Sequence, residues 1–185
     1  MKQENDDLNL IAAELERKNL EKGQVIPLES VLRWMASPDV EVKGAVYALT
    51  SKEEQTRRIQ PPLTLEMDTS FVLSYFAQCI VEDPPVGSMF ADSRFSACSD
   101  LVNWFKELWG DTAVPRSVMS DIKDWIARQF VNGDAEIRRT LVQATLEHLF
   151  EDPTIRDFFS DWRSESSLAD AYRQAKEWSE GRVKR

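Results

Sequence analysis

Among 185 residues, the groups best suited to proton transfer are a single histidine, His148, and carboxylates repeated at helical spacing. His148 lies on a stripe with Ile137, Leu141 and Ala144. A general base there needs a carboxylate or nucleophile within hydrogen-bond reach. Helical geometry places Glu147 and Glu151 around the helix and away from it. A metal site fares no better, because there is no second histidine and Thr145 stands where an ExxH ligand pair needs a carboxylate. His148 therefore reads as a core or boundary histidine with one hydrogen bond. Asp121 with Asp124, and Asp157 with Asp161, have the spacing to hold a divalent cation or to divide acid and base roles. They lack further ligands, a Gly-rich phosphate loop or a Ser, His and Asp set. The expectation is a protein that is not an enzyme and has no metal and no cofactor.

Binding chemistry is the remaining possibility, and charge narrows it. The chain carries 32 carboxylates against 23 bases, a formal net charge of -9. Phosphate-backbone binding relies on clustered Lys and Arg, so nucleic acid is not expected as a partner. Asn132-Gly133 followed by Arg138 and Arg139 could be read as a helix-turn-helix. The residues beyond them include Thr, Leu, Val, Leu, Glu and Phe, whereas a recognition helix exposes basic and amide groups along its length. Six tryptophans, Trp34, Trp104, Trp109, Trp125, Trp162 and Trp178, read mainly as core aromatics. The segment EDPPVGSMFADS, residues 82–93, departs from this pattern by placing Met89 and Phe90 among Glu82, Asp83 and Asp92. Two readings stand for it: apolar anchors ringed by charge at a protein interface, or Phe90 packing back beneath the loop.

The elements that must position these groups all read as helices. Leu8, Ile11 and Leu15 mark an amphipathic helix over 6–22, with Glu14 four residues before Lys18 and Gly23 as a stop. Pro27 opens a short second helix. Ser37 is placed to cap, and Pro38 to begin, the helix VEVKGAVYAL. Residues 51–66, interrupted by Pro61-Pro62, read as a linker or hinge between N-terminal helices over 1–50 and a main core over 67–182. Asp68 or Thr69 caps the apolar helix that runs through Val81. Its apolar stretch, residues 70–81, is about a dozen residues long and falls short of the roughly 20 needed to span a membrane, so no membrane partner is expected. Phe95, Cys98, Val102, Phe105 and Trp109 form a core stripe closed by Gly110, and Met119, Ile122, Ile126 and Phe130 form the next one. Asp152-Pro153 opens a short helix, and Ser166 or Ser167 opens the last. The spacing predicts one all-α domain of about eight helices, arranged as antiparallel hairpins in an irregular bundle or a short array. Cys79 and Cys98 fall within apolar patterns and read as free core thiols. The N-terminus has neither a basic start nor an apolar run with a cleavage site, so a cytoplasmic location is expected.

One local pattern occurs twice: Asp39, Glu41, Val42 and Lys43 correspond to Asp134, Glu136, Ile137 and Arg138. Each set opens a helix, with carboxylates meeting the unpaired amides of the first turn and an aliphatic residue entering the core. This turn resembles that of HEAT-like helical repeats. The stretch WIARQFVNGDAEIRRTLVQATLEHLFEDPTIRDFF, followed by a Ser-rich turn and YRQAKEW, resembles a group of small bacterial all-helical proteins of unknown function, some regarded as immunity proteins. The resemblance spans about residues 68–178 and rests on Gly133, Asp134, Glu136, Ile137, Arg138, Leu146, Glu147 and Leu149. It implies a protein partner, a basic toxin domain occluded by the acidic surface around Met89 and Phe90. The alternative it implies is a helical adaptor that binds a peptide or helix in a groove.

Overall fold

The computed structural model describes residues 2–16 and 25–183. Lys18, Gly23 and the predicted end of the first helix lie outside the described residues. The chain divides into two compact units, Met1–Ser93 and Arg94–Arg185. It is all-α, and its strand content among the described residues is one parallel pair, two residues on each side.

The first unit contains α1 (Lys2–Glu16), α2 (Leu28–Met35), α3 (Val40–Thr50), α4 (Glu53–Thr56) and α5 (Leu65–Glu82), with β1 (Ile26–Pro27) paired to β2 (Ile59–Gln60). The start of α3 is set by Asp39, whose carboxylate accepts from the Glu41 amide at 2.8 Å. Ser37, predicted as the cap, lies outside that helix and accepts from the Asp39 amide. Val42, Ala45, Val46 and Leu49 then form a fully buried face, and α3 packs on both α1 and α5. Burying each aliphatic side chain of that size stabilises the unit by about 1.5–3 kcal/mol.

The cap of α5 lies four residues before Asp68 and five before Thr69, the two predicted. The Thr64 hydroxyl accepts from the Met67 amide, and Asp68 falls in the first turn. Thr64 is extended, and Pro61-Pro62 keeps the chain ahead of it from continuing as helix. Its buried residues include Phe71, Tyr75, Phe76, Cys79 and Ile80, and Tyr47, Tyr75 and Phe76 form a ring cluster with centroids 5.2–5.7 Å apart. Segment 51–66 is built into this unit, with Ile59 and Gln55 buried. Arg58 within it meets Glu14 of α1 at 2.6 Å.

The second unit contains α6 (Arg94–Gly110), α7 (Arg116–Asn132), α8 (Ala135–Thr140), α9 (Glu147–Leu149), α10 (Pro153–Phe158) and α11 (Ala169–Val183). A π-helical segment, Leu141–Leu146, joins α8 to α9, and a 3₁₀ turn spans Ser160–Ser164. Asp134 caps α8 through the Glu136 and Ile137 amides, and Asp152 caps α10 through those of Thr154 and Ile155. Gly133 is required by proximity and not by conformation, since its φ is -71°. A Cβ there would stand 2.5 Å from Ile137 Cγ2 and 2.8 Å from the Gln129 carbonyl oxygen.

The core of this unit takes Ala97, Cys98, Leu101, Val102 and Phe105 from α6, with Phe150, Phe159 and Trp162 beyond. Phe95, expected on the core stripe, is 60% exposed because it lies in the first turn of α6, before the packed face begins. Helix α11 starts at Ala169, and the Glu165 carbonyl, not a serine side chain, receives the first amides there. Trp34, Trp125 and Trp162 are buried, while Trp104, Trp109 and Trp178 are half-buried.

Candidate functional site

The loop that follows α5 is where the sequence places its binding residues, and the first unit holds that loop by its backbone. Asp83 adopts the left-handed conformation at the end of α5 (φ 50°), turning the chain away from the helix axis. The Glu41 carboxylate, in the first turn of α3, accepts three consecutive amides of the loop: Met89 at 3.2 Å, Phe90 at 2.7 Å and Ala91 at 3.1 Å. Ionised acceptors make the stronger class of hydrogen bond. Beside it, the Tyr75 hydroxyl accepts from the Asp92 amide at 3.0 Å and donates to the Asp92 carboxylate at 2.8 Å. Burial, with Cys79 and Asp92 nearby, raises the Tyr75 phenol well above its ordinary range, so it remains a protonated donor. Burial likewise pushes the Cys79 thiol up to about 11.

The loop sits directly on α3. A Cβ at Gly44 would meet the Phe90 carbonyl oxygen at 2.3 Å and the carbonyl carbon at 2.6 Å, so glycine is what lets the two backbones approach. Of the residues predicted to bind, Met89 is 79% exposed, while Phe90 and Asp92 are half-buried and engaged with α3 and α5. Glu82 and Asp83 are exposed, and Glu82 receives the Gln78 amide. Val86, 95% exposed, and Val81 join Met89 as outward apolar groups. The sequence reading missed Glu41, Gly44 and Tyr75. Their partners lie 15 to 50 residues away, and only the Glu41 position, repeated at Glu136, was visible as a pattern.

The second unit gathers the candidate proton-transfer residue with groups that helical spacing alone did not bring to it. A groove of about 370 Å³ is lined by Ser99, Val102, Asn103 and Lys106 of α6 and by Ala144, His148 and Glu151. Glu151 does not project away from His148: its Oε1 lies 3.4 Å from Nδ1. The helix ends at Leu149, and residues three apart share a face, which brings the carboxylate back over the ring. The other oxygen of Glu151 lies 3.8 Å from Lys106 Nζ. The edge of His148 also meets Trp178, with centroids 5.0 Å apart. Behind the groove, the buried Thr145 hydroxyl donates to the Cys98 carbonyl at 2.9 Å, tying the π-helical segment to α6.

Asp161 meets Lys123 at 2.8 Å, and Asp121, Asp124 and Asp157 are exposed. No cluster of three or more metal-ligating side chains occurs among the described residues. Arg138 donates to the Phe130 and Val131 carbonyls at the end of α7, which ties down the guanidinium assigned to DNA in a helix-turn-helix reading. Among the described residues, no helix is long and apolar enough to cross a membrane.

No family model, curated protein or solved structure matches this chain.

Proposed function

We propose that this is a non-enzymatic interaction protein of the immunity type, which binds a basic effector domain and occludes it with the 82–92 loop. The observation that supports this most is the combination of a pinned backbone and outward apolar side chains. Glu41 holds three successive amides of the loop while Val86 and Met89 stand almost fully in water. An ordered loop loses little further entropy on binding, and exposed Met and Val beside Glu82 and Asp83 suit an apolar contact with a cationic rim. The net charge of -9 favours fast encounter with such a partner.

The test uses the full chain and a cationic toxin-like domain encoded beside its gene, with association followed by surface plasmon resonance. The association rate should fall steeply as salt rises. The double change Val86→Ala, Met89→Ala should weaken the complex at least tenfold while leaving the circular dichroism spectrum unchanged. Binding unaffected by this change would remove the loop from the proposal, and no binding to any neighbouring basic product would remove the immunity reading.

A further inference from the structure

The groove of the second unit has a feature that the proposed partner surface does not use. Lys106, His148 and Glu151 stand together there at ion-pair distances. His148 Nδ1 lies 3.4 Å from Glu151 Oε1, and Lys106 Nζ lies 3.8 Å from Glu151 Oε2, longer than a hydrogen bond, which leaves donors on the ammonium available. The Asn103 carboxamide is exposed at the rim and has no hydrogen-bond partner among the described residues. Lys106, His148 and Glu151 are each only about one-third exposed (36%, 35% and 36%), so their fields are less screened than those of surface charges. The volume of about 370 Å³ lies at the small end of ligand clefts, which run to roughly 300–1,000 Å³.

The signs of charge select the ligand. A lone anion drawn to Lys106 would also face Glu151, and a lone cation drawn to Glu151 would face Lys106. A molecule carrying both signs on one carbon satisfies both. We infer that this groove is a binding site for a small zwitterion of the α-amino-acid class. Lys106 and Asn103 receive its carboxylate, Glu151 receives its ammonium, and His148 is held by Glu151 beside it. Val102 and Ala144 form the apolar floor, which suits a short aliphatic side chain. This site is independent of the loop surface, and its failure would leave the proposed interaction untouched.

The test is saturation-transfer and chemical-shift NMR on the full chain with three probes: L-valine, N-acetyl-L-valine and L-valinamide. The two derivatives carry one charge each and imitate the ends of a peptide, so they separate a free amino acid from a peptide terminus. L-valine should bind saturably, with shifts at Asn103, Lys106 and His148, and each derivative should bind at least tenfold more weakly. Lys106→Met should abolish binding of L-valine. Glu151→Gln should narrow the gap between L-valine and N-acetyl-L-valine by at least threefold. Absence of saturable shifts in the wild-type groove, or equal binding of the three probes, would overturn the inference without reliance on any variant.

Discussion

Replacing Glu41 with alanine removes the acceptor for three loop amides at once. Hydrogen bonds to charged groups contribute about 1.5–3 kcal/mol each, but they are not additive when one group makes all of them. The Met89 amide belongs to an exposed residue and can turn to water. The Phe90 and Ala91 amides, at 2.7 and 3.1 Å, lie against α3 and lose more. The expected cost is about 2–4 kcal/mol, a sizeable share of a total stability that is typically about 5–15 kcal/mol. With a urea slope of about 2 kcal/mol/M, the midpoint should fall by roughly 1–2 M. Glu41→Gln keeps one carbonyl acceptor and turns an NH₂ toward the remaining amides, so it should lose about half as much. The decisive measurement is amide hydrogen exchange of the native protein. Residues 89–91 should lose protection in Glu41→Ala before the rest of the first unit does. Unchanged protection there would refute the view that this carboxylate holds the loop, whatever the change in midpoint.

Gly44→Ala should destabilise by about 1–2 kcal/mol despite the better helix propensity of alanine, because the new methyl group meets the backbone of Phe90; a neutral or raised urea midpoint would contradict this. The carboxyls of Asp152 and Asp134 are held below the usual carboxylate range, the first mainly by the Thr154 hydroxyl and the second mainly by the Ile137 amide. Their contribution is therefore complete above the unfolded value of about 3.9 and is lost as pH falls through the lower folded values. Urea midpoints measured from about pH 5 down to about pH 2 should fall less steeply in Asp152→Asn than in wild type, since asparagine still caps but does not titrate. Cys79 and Cys98 are free and buried, and Cys79 is further protected by a thiol pushed up to about 11. A colorimetric thiol assay near neutral pH should find neither reactive in the native protein and both reactive in denaturant.

The all-α class was legible in the sequence because its signals act over a few residues. Asp39, Asp134 and Asp152 each cap a helix by bonding amides two or three positions ahead, and apolar spacing then names the buried face. The same logic misplaced the start of α5, where Asp68 and Thr69 look as competent as Thr64. It also passed over the π-helical segment Leu141–Leu146, whose composition continues that of an ordinary helix. The candidate loop was recognised as unusual, yet its two apolar residues met different fates, Met89 in water and Phe90 half-buried with its backbone against Gly44 of α3. Composition does not distinguish them.

The repeated turn separates what is local from what is not. Glu41 and Glu136 occupy equivalent positions, two residues after a capping aspartate. By itself, the sequence determined that both begin helices, since the relevant donors lie within one turn. Only the tertiary structure gave Glu41 three amides 48 to 50 residues away and left Glu136 on the surface, 3.6 Å from Arg94. It likewise brought Lys106 to the Glu151 carboxylate 45 residues further along the chain. Such partners are chosen by how helices pack, and packing sums many small contacts that no short window of residues contains.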